Sequence, residues 1–270
     1  MADNDAAFIG AIPQNYDRYL GPMLFQGHAE DIAARVAVRP GVQVLEVACG
    51  TGIVTRRLLD RLRGQGSLVA TDLNEAMLAH GRREIAPDPS LQWRQADATK
   101  LPFADGAFDA VVCQFGLMFF PDKAAGIREA FRVLRSGGQY LFNVWDAIEH
   151  NPITRITHET VAEFFPTDPP QFYRVPFSLH EPEPLVRMLG EAGFEAIEWR
   201  RLDKTGTGPS AAEAATGLID GNPIVDAIMQ RRPDALPEIK NALAVNIAAE
   251  LGDRPVRCPL RAVVFSARRP

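Results

Sequence analysis

Cysteine is scarce in this 270-residue chain, and the three present, Cys49, Cys113 and Cys258, are odd in number and scattered. That set suits free thiols in a reducing compartment, and no pair has the spacing of a zinc site, so no metal is expected. The first twenty residues lack a basic stretch followed by an apolar one, so no secretory signal is read. No apolar run approaches the ~18 residues of a membrane span. An excess of basic charge is missing too: the formal net charge is −5. That argues against nucleic acid as a partner, since such binders usually show a basic face. Repeats and low-complexity segments are also absent. The chain reads as a cytoplasmic globular protein, with hydrophobic residues at 46% and charged ones at 23%. A homodimer is left open.

What is present is an alternation of strands and helices. VQVLEVA (42–48) is near-continuously apolar, as a parallel strand covered on both faces should be. GIVTRRLLDRLR (52–63) follows as a helix, SLVATDL as a second strand, and NEAMLAHGRREIA as a helix with Asn74 at its cap. LQWRQAD is a third strand, FDAVVCQFG a fourth and DKAAGIREAFRVLR a helix. Gly137-Gly138 reads as a turn into a fifth strand, QYLFNVW. Further on, PEPLVRMLGEAGF is a helix, EAIEWRRLDK a strand and LRAVVFSARR the last strand. The fold class expected is α/β: a Rossmann-like, doubly wound seven-stranded sheet, mostly parallel with an antiparallel last strand, plus a helical cap. The expected organisation is a helical segment over 1–35 and a cofactor-binding core over 36–146. Cap insertions follow at 147–180 and 209–252, with the remainder of the sheet in 181–208 and 253–270.

The chemistry concentrates in VLEVACGTG (44–52). Glu46 lies near the carboxyl end of the first strand, and Gly50, Thr51 and Gly52 form the turn into the helix. Glycine is needed where backbone must approach a ligand closely. In open α/β sheets the ligand sits outside the carboxyl ends of the strands. Asp72 ends the second strand, where a carboxylate can accept from ribose hydroxyls. Asp97 and Ala98 end the third, where a carboxylate and a backbone N–H can read adenine. A nicotinamide dinucleotide is the alternative ligand. Its fingerprint wants a third glycine where this chain has Thr55, and its pyrophosphate tolerates Glu46 poorly. A cationic sulfonium with an amino-acid tail suits those carboxylates better, so S-adenosylmethionine is the expected cofactor. A non-catalytic adenosylmethionine-binding protein is the reading from another class.

VLEVACGTG, VATDLNEAML, QADATKLPFADGAFDAVVCQFGL and REAFRVLRSGG together resemble the class I methyltransferases of the ubiquinone/menaquinone C-methyltransferase type, over residues 42–145. The resemblance implies that Gly50, Thr51 and Gly52 line the methionine moiety, that Asp72 holds the ribose and that Asp97 and Ala98 read adenine. It also places Gln114 beside the methionine. Position 114 tends to be Ser in the quinone enzymes, and the region after Trp145 does not match them; both departures bear on the acceptor, not the cofactor. The Asn/Asp-Pro-Pro-Tyr/Phe clamp of amino-directed nucleic-acid methyltransferases is absent from CQFGLMFFPD.

The expected activity is methyl transfer to a small, apolar or aromatic acceptor. The catalytic residue is unknown. His28 and His150 are candidates for a general base, against the plainer reading of packing or surface histidines. Tyr16 and Tyr19 are candidates to close over the cofactor. Phe115, Met118, Phe119 and Phe120 are read as core or as the wall of an apolar pocket. Phe164, Phe165, Phe172, Phe177, Ile224 and Ile228 give the cap more apolar surface than a decoration needs.

Overall fold

The computed structural model describes residues 7–270, so the first six residues of the expected N-terminal segment lie outside the described ones. The chain opens with α1 (Ile12–Asn15), a π-helical stretch (Tyr16–Phe25) and α2 (Gln26–Ala34). Pro22 inside the π-helical stretch has no N–H to donate, and the bond from the Gln26 amide to the Gly21 carbonyl shows the wider turn. Then follow β1 (Val42–Val47), α3 (Ile53–Leu62), β2 (Gly66–Asp72), α4 (Glu75–Glu84), β3 (Leu91–Gln95) and β4 (Phe108–Gln114). After them come α5 (Lys123–Val133), β5 (Leu134–Trp145), α6 (Pro152–Glu163) and α7 (Pro182–Glu191). The chain ends with β6 (Glu195–Gly208), α8 (Ala211–Asp220), α9 (Ile224–Arg231), α10 (Leu236–Leu251) and β7 (Val256–Arg268).

These strands form one seven-stranded sheet in the order β3-β2-β1-β4-β5-β7-β6. β1 through β5 pair in parallel, and β7 runs antiparallel between β5 and β6. The central strands β1 and β4 are buried along almost their whole length, as their unbroken apolar runs require. Polar β3 forms one edge. The chain turns one way from β1 to β2 and the other way to β4, and a ligand crevice opens at such a switch point.

Gly137-Gly138 is not the turn that the sequence suggested. β5 already begins at Leu134, and its register against β4 jumps from Phe108↔Leu134 to Ala110↔Gln139, so the glycines sit in a bulge. Gly137 takes a positive φ of 75° there. The end of the chain supplies the partners: the Gly137 amide donates to Arg269 O and the Arg269 amide to Gly138 O.

Each face of the sheet has its own core. On one side α2 and α3 bury Ile32, Val54, Leu58 and Leu62 against Val44, Leu68 and Val112. The other core runs without a break from Leu45, Val111 and Phe142 to Leu218, Ile219, Ile239, Leu243 and Ile247. Each such side chain stabilises the fold by about 1.5–3 kcal/mol. α10 packs on α8 and α6, and α8 packs on the π-helical stretch, where a Cβ at Gly217 would meet Tyr19 at 2.4 Å. No helix among the described residues is long and apolar enough to cross a membrane.

Candidate functional site

The turn after β1 is built from left-handed backbone: Ala48, Gly50 and Gly52 have φ of 54°, 56° and 86°. The Gly50 amide donates to Asp72 Oδ2 at 2.8 Å, and the Asn74 amide donates to Oδ1 at 2.8 Å. The carboxylate at the end of β2 is thereby fixed at the rim of a cleft. Gly50, Asp72, Asp97, Ala98 and Gln114 all line this cleft. Asp97 Oδ1 takes the amide and hydroxyl of Thr99, which fixes that carboxylate too.

Glu46 and Thr51 line a smaller adjoining cavity, which shares Tyr16, Ala48, Gly50 and Gln114 with the cleft. Gly52 lines neither. A Cβ there would meet Ile85 at 2.7 Å and Trp93 at 2.9 Å, so its glycine serves the left-handed helix cap and close packing. Glu46 is fully buried, and its Oε2 accepts from the Thr55 hydroxyl at 2.6 Å. Burial raises its pKa to about 8, and Asp72 nearby adds to the rise. Burial also raises the Asp72 pKa. Gln114 donates from Nε2 to Phe25 O at 3.5 Å, while its buried Oε1 has no partner among the described residues.

These features test the fit of the cofactor. No Lys, Arg or His is among the residues that line the cleft, whereas two carboxylates are. A pyrophosphate would find no counter-charge there. A sulfonium with an ammonium group relieves the buried carboxylates Glu46 and Asp72 and gives Gln114 Oε1 a donor. The residues fit S-adenosylmethionine and not a nicotinamide dinucleotide.

Asp17 was not picked out from the sequence. It accepts from the Thr51 hydroxyl at 3.0 Å, pairs with His80 Nε2 at 3.2 Å and reaches Arg56, so the N-terminal helix is tied across the glycine turn. The available signal was its place beside Tyr16. Tyr16 lines the cleft and stacks on Phe25 at 4.8 Å, while Tyr19 packs against α8 instead.

Beyond Tyr16 lies a second cavity, the chamber, whose wall shares Phe8, Tyr16, Phe115 and Phe119 with the cleft. Phe115 sits at a positive φ of 51°, an uncommon conformation for an aromatic residue. Its amide bonds to Asn143, and its ring stacks on Trp145 at 3.9 Å and 8°. Phe120 lines the cleft only, and Met118 is buried in the core. Phe172 and Phe177 line the chamber, whereas Phe165, Ile224 and Ile228 are buried in the core and Phe164 packs against it.

Neither candidate base reaches these cavities. His28 is buried edge-on to Phe115 and Trp145, and neither ring nitrogen has a partner among the described residues. Burial lowers its pKa to about 4, so the imidazole is neutral. His150 stands in a separate surface groove with Asp203, Lys204 and Arg261. The three cysteines are buried and free, and no group of three or more His, Cys, Asp or Glu among the described residues could hold a metal.

Comparison with known proteins bears on what this arrangement does. The profile of the ubiE/COQ5 methyltransferase family matches residues 7–166. The ubiquinone/menaquinone biosynthesis C-methyltransferase UbiE of Stenotrophomonas maltophilia is 33% identical over 187 residues, which is 63% of this chain and 72% of that protein. The demethylmenaquinone methyltransferase of Lysinibacillus sphaericus is 34% identical over 131 residues, 47% of this chain and 56% of that one. Among solved structures, phosphoethanolamine N-methyltransferase 2 of Haemonchus contortus, bound to phosphomonomethylethanolamine and S-adenosylhomocysteine, superposes with a TM-score of 0.62. It is 17% identical, over 96% of this chain and 57% of that one. Such a likeness speaks for the fold.

Proposed function

The chain belongs to the ubiE/COQ5 methyltransferase family and is an S-adenosylmethionine-dependent methyltransferase; from that premise we propose that it methylates an uncharged aromatic small molecule held in the chamber beside the cofactor cleft. The observation that carries this reading is the wall of Tyr16, Phe115 and Phe119 that the two cavities share. The cofactor supplies an activated methyl group, since the sulfonium is itself the leaving group. Asp72 takes the ribose hydroxyls, and Asp97 with the Ala98 amide reads adenine. Glu46, Gly50, Thr51 and Gln114 surround the methionine end, while Gly52 shapes the turn from behind. The helices after β5 and β6 act as the cap that encloses the acceptor.

The residues that line the chamber include no carboxylate, imidazole, ammonium or guanidinium. The protein therefore supplies no base from within it. Its contribution is placement and exclusion of water, and such orientation is worth on the order of 7–11 kcal/mol. An apolar wall also rejects a charged acceptor, because a charge buried without a partner costs several kcal/mol. The relatives' names bring the ring of a ubiquinone or menaquinone precursor as the first acceptor to try. The chamber, however, uses Phe172, Tyr173, Phe177, Leu218 and Asn222, which lie beyond the family match.

The test is transfer of a radiolabelled methyl group to a panel of neutral ring compounds and of phosphate-bearing or ammonium-bearing compounds. Product only from neutral rings is expected. Product only from charged acceptors would overturn the reading.

A further inference from the structure

Past residue 166 the chain builds one polar corner in the otherwise apolar chamber. At the end of α8 the Leu218 carbonyl lacks its usual helical partner, because the Asn222 amide bonds to Ile219 O instead. Two side chains take that place: the Tyr173 hydroxyl donates to Leu218 O at 2.7 Å, and Asn222 Nδ2 donates to it at 3.0 Å. Asn222 Nδ2 also donates to the Tyr173 hydroxyl oxygen at 3.4 Å. These bonds fix the orientation of the amide, since only its nitrogen can face a carbonyl oxygen at such distances. The amide atom left to the chamber is Oδ1. The single proton of Tyr173 is committed to Leu218, and that of Thr154 to Asn151 O at 2.7 Å. Tyr16, the other hydroxyl in the wall, is shared with the cofactor cleft and has Asp72 and Asp17 in electrostatic reach.

The side-chain atoms of this corner thus accept hydrogen bonds and donate none to a ligand. We propose that it is a recognition site for a hydrogen-bond donor on the methyl acceptor: a neutral ring carrying a hydroxyl or N–H group, held by Asn222 Oδ1, with Thr154 Oγ1 as a further acceptor in the wall of the same chamber. This rests on the acceptor-chamber reading above. A ligand carbonyl or ether placed here sets lone pairs against lone pairs. A purely apolar group leaves the Asn222 carbonyl desolvated and unmade, a cost comparable to a lost hydrogen bond. A carboxylate or phosphate does both and adds an unpaired charge. Asn222 is then a specificity residue that sorts donors from acceptors on rings of equal size.

The experiment measures binding of 1-naphthol, 1-methylnaphthalene and 1-methoxynaphthalene to the S-adenosylhomocysteine-loaded protein by calorimetry. The methyl group matches the hydroxyl in size but donates nothing, and the methoxy oxygen only accepts. The naphthol should bind at least about fivefold tighter than either, the worth of one net hydrogen bond. In Asn222→Ala and in Thr154→Val that advantage should shrink, with unliganded melting temperatures showing that both variants fold. Equal binding of the three probes to the wild type overturns the proposal, as does an advantage unchanged in both variants. A chamber-filling Leu218→Trp variant separates this from the underlying reading. If it still binds all three rings at full strength, they sit elsewhere and the acceptor chamber itself is wrong.

Discussion

The amide of Gly50 donates to Asp72 Oδ2 at 2.8 Å, so the glycine turn after β1 and the carboxylate after β2 form one unit. Neither works alone: the carboxylate fixes the turn, and the turn fixes the carboxylate toward the cleft. Asp72→Ala should therefore destabilise the protein even without ligand, by about 1–3 kcal/mol, because the Gly50 and Asn74 amides lose their acceptor. Chemical denaturation of the unliganded variant checks this. An unchanged midpoint would show that water replaces the carboxylate at no cost.

Glu46 gives the fold a pH dependence of unusual sign for a carboxylate. Its folded pKa of about 8 lies above the 4.5 of an ordinary glutamate. Between those values the folded protein holds a proton that the unfolded chain has released. This group's contribution is full below about pH 4.5 and is lost as pH rises through 8. Glu46→Gln keeps an acceptor for the Thr55 hydroxyl and should flatten that decline. The share from Asp72, whose pKa is also raised, remains. Denaturation midpoints at several pH values decide: parallel losses in wild type and variant would mean that Glu46 is already ionised.

His28 tests whether a base takes part. Its two unpartnered nitrogens make an apolar replacement cheap, so His28→Leu should change stability by no more than about 1 kcal/mol. The methyl-transfer rate should stay within about threefold, where loss of a general base would cost on the order of a hundredfold or more. The comparison needs only initial rates on a common acceptor.

What the sequence made legible was what local chemistry determines. VLEVACGTG, Asp72 and Asp97 announce themselves because strand ends, left-handed turns and short loops impose residue types within a few positions. Gly50, Asp72, Asp97, Ala98 and Gln114 all meet in one cleft. The partners that complete the site are distant in the chain: Asp17 meets Thr51 across 34 residues, and Tyr173 meets Leu218 across 45. The sequence around Asp17 hints at the site through the adjoining Tyr16 alone, and that around Tyr173 does not mark its contact. Gly137-Gly138 misled for a related reason. A glycine pair reads as a turn, but here Arg269 from the far end of the chain pairs with it inside a strand.

The most direct test of the account is the affinity of S-adenosylhomocysteine, measured by isothermal titration for the wild type and for Asp72→Asn. Asparagine keeps the shape and one acceptor oxygen but removes the charge-assisted hydrogen bonds to the ribose. The wild type should bind in the micromolar range and the variant about 2 kcal/mol more weakly, roughly thirtyfold, with NAD giving no heat in either. Equal affinities in the two proteins, or heat from NAD alone, would contradict the assignment of this cleft to S-adenosylmethionine.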